Sequence, residues 1–119
     1  MLDKKLKSFH HALSGLLTAW REETNFKIEI ACGIVVILAA FVLHISRIEL
    51  VVVALLIGFV LATEALNTAL EEFCDMVKSE HDPHVAKIKD LAAAAVLLAS
   101  LAALAVGVII FVPKLFGIA

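Results

Sequence analysis

The chain has no tyrosine, only two prolines and only two cysteines among its 119 residues. With so little proline, low-complexity linkers are absent, and one domain is the sensible count. Cys32 and Cys74 cannot make a disulfide framework. They read as small apolar fillers near the cytoplasmic side, where thiols stay reduced. A zinc site from Cys74, His81 and His84 lacks an obvious fourth ligand. The net charge of −2 gives no basic footprint, which argues against nucleic acid as a partner. Residues 1–29 are charged and amphipathic, with no isolated apolar core before a small-residue cleavage site, so no cleavable signal is expected.

Catalytic signatures are missing too. The five glycines are scattered at 15, 33, 58, 107 and 117, and no GxxxxGK[ST] loop or glycine-rich kinase loop can be drawn through them. Neither GxSxG nor HExxH occurs. If the chain handles ATP, it does so with carboxylate-bound metal and a few basic side chains.

What is abundant is apolar surface. Hydrophobic residues make up 62% of the chain, against about 45–50% in a soluble domain, and the mean hydropathy is +1.02. A globule this small cannot bury so much, so lipid must cover it. Leu6, Phe9, Leu13, Leu16, Leu17 and Trp20 form one helical stripe, and Lys4, Lys7, His11, Ser14, Thr18 and Arg21 another. This pattern predicts an amphipathic surface helix over about 4–25, apolar side in the acyl boundary. Residues 30–43 are an apolar run of about 21 Å, short enough to be ambiguous alone. Its neighbours decide for a membrane span. Together they predict three spans, about 29–45, 49–74 and 90–112, in an all-α integral membrane protein. Lys4, Lys5, Lys7, Arg21, Lys27, Lys78, Lys87 and Lys89 lie on one side, and Arg47 and Lys114 on the other. The first side is expected to be cytoplasmic. Residues 78–90 then form a cytoplasmic loop and 44–49 a tight outer turn. In the third span Ala92, Ala95, Ala99, Ala102, Ala103 and Gly107 read as a close-packing stripe. Three spans make a thin bundle, so an oligomer whose interfaces complete the site is expected.

The stretch that carries chemistry is ATEALNTALEEFCD, residues 62–75. Glu64, Asn67, Glu71 and Asp75 are spaced i, i+3, i+7 and i+11, which places them on one helix face. An ionisable residue at the end of a membrane-grade apolar run is costly and points to function. A ladder of oxygen ligands suits a hard cation such as Mg²⁺, with a phosphate ester as companion. The ladder runs from lipid to water, so it can hold a lipid headgroup at one end and a soluble cosubstrate at the other. Glu22 and Glu72 read as solvated charge, His81 and His84 as solvent-facing, and Pro83 as a loop element. A small proton-coupled transporter with Glu64 as carrier is the alternative. Against it, residues 51–59 are wholly apolar and every candidate ligand clusters at one face.

Three segments, GLLTAWREETNFKIE (15–29), EALNTALEEFCD (64–75) and SEHDPHVAKIKDLAAAAVLL (79–98), resemble the small prokaryotic integral-membrane diacylglycerol kinases. The likeness is closest to the Gram-positive-type branch, which includes undecaprenol kinases, and it covers nearly the whole chain. The resemblance implies a homotrimer with active sites shared between subunits, and Mg²⁺-dependent transfer of the ATP γ-phosphoryl group to a lipid hydroxyl. It implies Glu64 as the base, Glu23 and Glu71 as metal ligands, and Asn67 and Glu29 as further polar positions. Glu80, His81, Asp82, Lys89 and Asp90 would form the nucleotide-binding loop. Gly15 would lie where the surface helix meets the lipid and nucleotide. Lys4 stands where the best-known branch has an arginine, and His11 where it has a tyrosine near the nucleotide. Lysine cannot make the bidentate guanidinium fork. Ala93 replaces a serine near the lipid. The C-terminal FVPK segment tilts the expected substrate toward undecaprenol over diacylglycerol.

Overall fold

A computed structural model describes residues 1–77 and 81–117. The chain forms four helices, α1 Leu2–Glu22, α2 Thr24–Val42, α3 Arg47–Val77 and α4 Pro83–Leu115. No strand occurs among the described residues. The last three helices are each long and apolar enough to cross a membrane. At 1.5 Å per residue, α2 is about 28 Å long, close to a hydrocarbon core, while α3 and α4 reach about 46 and 50 Å. The two long helices therefore extend well past any bilayer that α2 just spans.

A single residue joins α1 to α2. Glu23 adopts an extended conformation (φ −109°, ψ 109°) and serves both as C-cap of α1 and N-cap of α2. Its N–H donates to the Ala19 carbonyl at 3.0 Å, so the first helix closes normally before the chain turns. Ala19 and Phe26 are buried on either side of this elbow, and the Lys27 ammonium lies 5.9 Å from the Trp20 ring centroid, within cation–π range.

At the other end of α2 the chain reverses in four residues, as expected of a tight turn. His44 takes a left-handed conformation (φ 54°). Ser46 and Glu49 then start α3 with a reciprocal capping box. The Glu49 N–H donates to Ser46 Oγ at 3.1 Å, and the Ser46 N–H donates to Glu49 Oε1 at 2.9 Å.

The stretch expected as a loop over 78–90 is helical from Pro83 onward. The reason is local. Asp82 Oδ1 accepts from the N–H groups of His84 (2.8 Å) and Val85 (3.4 Å), and Pro83 sits at N1, where its missing N–H costs nothing. Charge in Lys87, Lys89 and Asp90 hides this start from a hydropathy reading, but charge does not oppose helix.

The central helix is α3, which packs along α4 and more briefly against α2, with α1 resting on α2 and α3. A Cβ at Gly33 would come 3.1 Å from Ile57 Cγ2, so glycine permits the close α2–α3 approach. Of the small-residue stripe on α4, Ala92 and Ala99 are buried, whereas Ala95 and Ala102 face outward. Leu55, Leu98 and Ile109 are each about two-thirds or more exposed. The molecule measures 53 × 42 × 23 Å, with a radius of gyration of 17.6 Å, where a compact globule of this length would have about 14 Å. It is an open slab whose apolar surface faces outward, which is what a bilayer solvent allows.

Candidate functional site

The C-terminal half of α3 carries the acidic face. Exposure rises along it. Glu64 is 4% exposed, Asn67 and Glu71 are half-buried, and Asp75 is exposed. The burial gradient follows from the element lengths, since α2 flanks the deeper end while the last turns of α3 project beyond it.

Each end of the ladder meets another helix. The carboxyl of Glu64 lies against that of Glu29 on α2, close enough for a side-chain hydrogen bond between them. One turn further, Asn67 Nδ2 donates to Glu71 Oε1 at 3.2 Å. At the exposed end, Lys89 Nζ on α4 donates to Asp75 Oδ1 at 2.7 Å. Asn67 Oδ1 and Glu29 Oε2 are buried and have no hydrogen-bond partner. Buried polar atoms are nearly always satisfied, so two orphans side by side with an acidic ladder mark acceptors held for something else.

Two concavities flank this face. A groove of about 560 Å³ crosses α2, α3 and α4 and is lined by Glu29, Gly33, Ile57, Leu61, Leu104 and Phe111 among others. Among the described residues, Glu29 is its one carboxylate-bearing lining residue. A second, more polar cleft of about 810 Å³ lies between α1 and α3, where His11, Gly15, Glu22, Glu23, Thr68 and Glu72 face one another. The Glu23 side chain makes no capping hydrogen bond to α2, which leaves its carboxylate to the cleft.

The sequence candidates thus fall into groups. Glu29, Glu64, Asn67 and Glu71 come together along α2 and α3. Gly15, His11 and Glu23 share the α1–α3 cleft, and the α3 acid lining it is Glu72, one position round the helix from Glu71. Lys4 is exposed near the start of α1, and Asp90 and Ala93 are exposed on α4. Asp82 spends one oxygen on capping α4, and His81 is exposed just ahead of it. Glu80 lies outside the described residues. Thr68 and Glu72 were missed as lining residues. Their i, i+4 spacing hints at a shared face, but only the docking of α1 gives that face a cleft.

No group of three His, Cys, Asp or Glu side chains converges as a metal site among the described residues. The donors nonetheless suit Mg²⁺, which takes one or two carboxylates and fills its remaining positions with water and phosphate oxygens. The half-buried Glu71 carboxylate and the unpartnered Asn67 Oδ1 are oxygen donors of that kind.

Comparison with known proteins finds relatives of one family. The family model for prokaryotic diacylglycerol kinase matches residues 10–111. An undecaprenol kinase of Bacillus subtilis is 37% identical over 114 residues, covering 96% of this chain and 93% of the relative. A diacylglycerol kinase of Synechocystis is 41% identical over 114 residues, covering 95% of this chain and 65% of the relative. One from Pseudomonas aeruginosa is 33% identical over 98 residues, covering 82% and 80%. With three apolar helices, a buried acid on the middle one, and a match that takes in α2, α3 and most of α1 and α4, the chain belongs to the prokaryotic diacylglycerol kinase family.

Proposed function

We propose that this protein is a lipid kinase of the cell membrane that moves the γ-phosphoryl group of ATP to the hydroxyl of a membrane lipid. The observation that carries the reading is the junction at Glu29 and Glu64, where an apolar groove ends against the first of four polar residues that lead out to water. A long lipid chain fits the groove, which sets its terminal hydroxyl at the two carboxyls. ATP approaches from the exposed end.

In the transfer, the lipid oxygen attacks the γ-phosphorus and the bond from that phosphorus to the β–γ bridging oxygen breaks, releasing ADP. The hydroxyl proton passes to the Glu64 carboxylate. Asn67, one turn along, orients Glu71 and offers its free oxygen to the reacting groups. Lys89 offsets charge on the phosphates, and Glu23 and Glu71 would hold Mg²⁺. When bound, that ion supplies charge neutralisation across the phosphate oxygens. His11 and Lys4 lie toward the nucleotide on α1, with His81, Asp82 and Asp90 at the α4 end. Gly15 keeps the α1–α3 cleft open, and Ala93 faces the lipid. We place α1 on the cytoplasmic membrane surface and the site on that side, and we assign a homotrimer whose neighbours complete it. Undecaprenol is the favoured substrate over diacylglycerol.

A transporter needs polar groups on both halves of its path. Residues 51–62 of α3 contain none.

The test is ATP consumption by the purified protein in mixed lipid with Mg²⁺, given undecaprenol or diacylglycerol in the same bilayer. Lipid-dependent turnover that is faster on undecaprenol is expected. Its absence with both lipids would remove the kinase reading.

A further inference from the structure

Glu29 and Glu64 meet at the apolar groove, with their carboxyls within hydrogen-bond reach of each other. Glu64 is 4% exposed, and Glu29 Oε2 is buried with no hydrogen-bond partner. Two carboxylates so placed would repel each other, and both would have given up hydration. Among the described residues no ion pair neutralises either acid. On α2, the Lys27 ammonium lies over the Trp20 ring, and Cys32, which shares the groove, is a thiol. On α3, Glu71 accepts from Asn67. The α4 helix carries no titratable group between Asp90 and Lys114. On α1, Arg21 is exposed, and His11, Glu22 and Glu23 line the separate α1–α3 cleft. A single proton resolves the contact. It removes one of the two charges and turns repulsion into a hydrogen bond, because a protonated carboxyl donates where a carboxylate only accepts.

We propose that Glu29 is a positioning residue, a neutral carboxylic acid that donates a hydrogen bond to the Glu64 carboxylate. The inference rests on the kinase reading above and deepens it. Glu64 has to be ionised to take the lipid proton, so the shared proton belongs to Glu29. The bond holds one Glu64 oxygen and leaves the other to the lipid hydroxyl. A neutral acid beside the groove also costs less to cover with a lipid chain than a charged one. In the transfer the lipid O–H bond breaks as the oxygen–phosphorus bond forms, and that proton goes to the open Glu64 oxygen. The pair then holds two protons and no charge, and one proton returns to water before the next turnover.

The experiment joins kinetics to infrared spectroscopy, on the full-length protein in an ester-free detergent with undecaprenol as the lipid. Glu29→Gln keeps a donor in place without an acidic proton, so it should retain kcat within about threefold of wild type. Glu29→Leu removes the donor. It should lower kcat roughly tenfold to a hundredfold, the scale of a hydrogen bond to a charged group, with the KM for ATP and the size-exclusion profile unchanged. The wild-type minus Glu29→Gln difference spectrum should contain a carboxylic-acid C=O band that shifts in D2O. The proposal is overturned if Glu29→Gln is as slow as Glu29→Leu, since Glu29 would then act as a carboxylate. It is equally overturned if Glu29→Leu matches wild type, or if the band is absent from a wild type that turns over. A wild type with the band but no lipid-dependent turnover defeats the kinase reading instead, and the positioning role falls with it.

Discussion

Glu64 is the side chain whose placement is hardest to explain without chemistry. It is 4% exposed, on a helix whose preceding residues from 50 onward are uncharged, and it meets another acid, Glu29, across the bundle. Two acids in contact do not repair each other's desolvation as an acid and a base would. Packing alone would select leucine or alanine there. Glu64→Gln keeps the shape and removes the basic oxygen. It should lower kcat by about a thousandfold, within the usual range for a general base, while size-exclusion profiles in detergent stay unchanged. Near-normal turnover would show that Glu64 is not the base. Residues that look similar by sequence behave differently. Glu71 and Glu72 are adjacent acids, yet the first accepts from Asn67 and the second lines the α1–α3 cleft.

At the scale of the element, three short devices decide where helices start and turn. Glu23 joins α1 to α2 without a linker, which keeps the first helix near the end of the first span and forms one wall of the polar cleft. Asp82 and Pro83 start α4 ahead of the apolar run and so place Lys89 on a rigid helix rather than in a loop. Ser46 and Glu49 fix the N-terminal end of α3. Ser46→Ala removes one half of that capping box. It should reduce stability by about 1 kcal/mol, read as a lower melting temperature in detergent with kcat unchanged, because the box lies at the far end of α3 from the site. The close approach at Gly33 is a separate constraint. Gly33→Leu drives a side chain into Ile57, already 3.1 Å from a simple Cβ, and should cost on the order of 1–3 kcal/mol as overpacking, again visible as a lower melting temperature.

On the scale of the whole molecule, the proposed trimer would complete what one chain leaves open. Between 11% and 17% of each span's most apolar window is buried within the chain, and the groove beside Glu29 is open along three helices. Lipid can cover apolar surface, but it cannot supply ligands to a half-formed polar site. Glu23 in one cleft and Glu71 on the neighbouring α3 surface leave room for a second chain to contribute. Light scattering in detergent, corrected for bound detergent, should therefore give the mass of three chains. Mixing inactive Glu64→Gln chains with inactive Glu23→Gln chains should restore partial turnover if sites are shared. A monomeric mass with full activity would contradict the shared site.

Much of this was legible without coordinates, for physical reasons that differ by feature. The apolar runs at 30–43, 50–63 and 91–112 are long and uncharged, and the cost of exposing them to water leaves a membrane as their only solvent. The ladder was equally plain, because helical geometry converts the spacing 64, 67, 71, 75 into one face whatever the helix packs against. The start of α4 was not, since hydropathy marks where a helix enters lipid and says nothing about where its hydrogen bonds begin. Three things needed the tertiary structure: the meeting of Glu29 with Glu64, the pairing of Asp75 with Lys89, and the cleft that Thr68 and Glu72 share with Glu23. Each joins residues on different helices, and the relative rotation of two helices depends on the summed packing along their whole contact, a quantity that no local pattern of residues encodes.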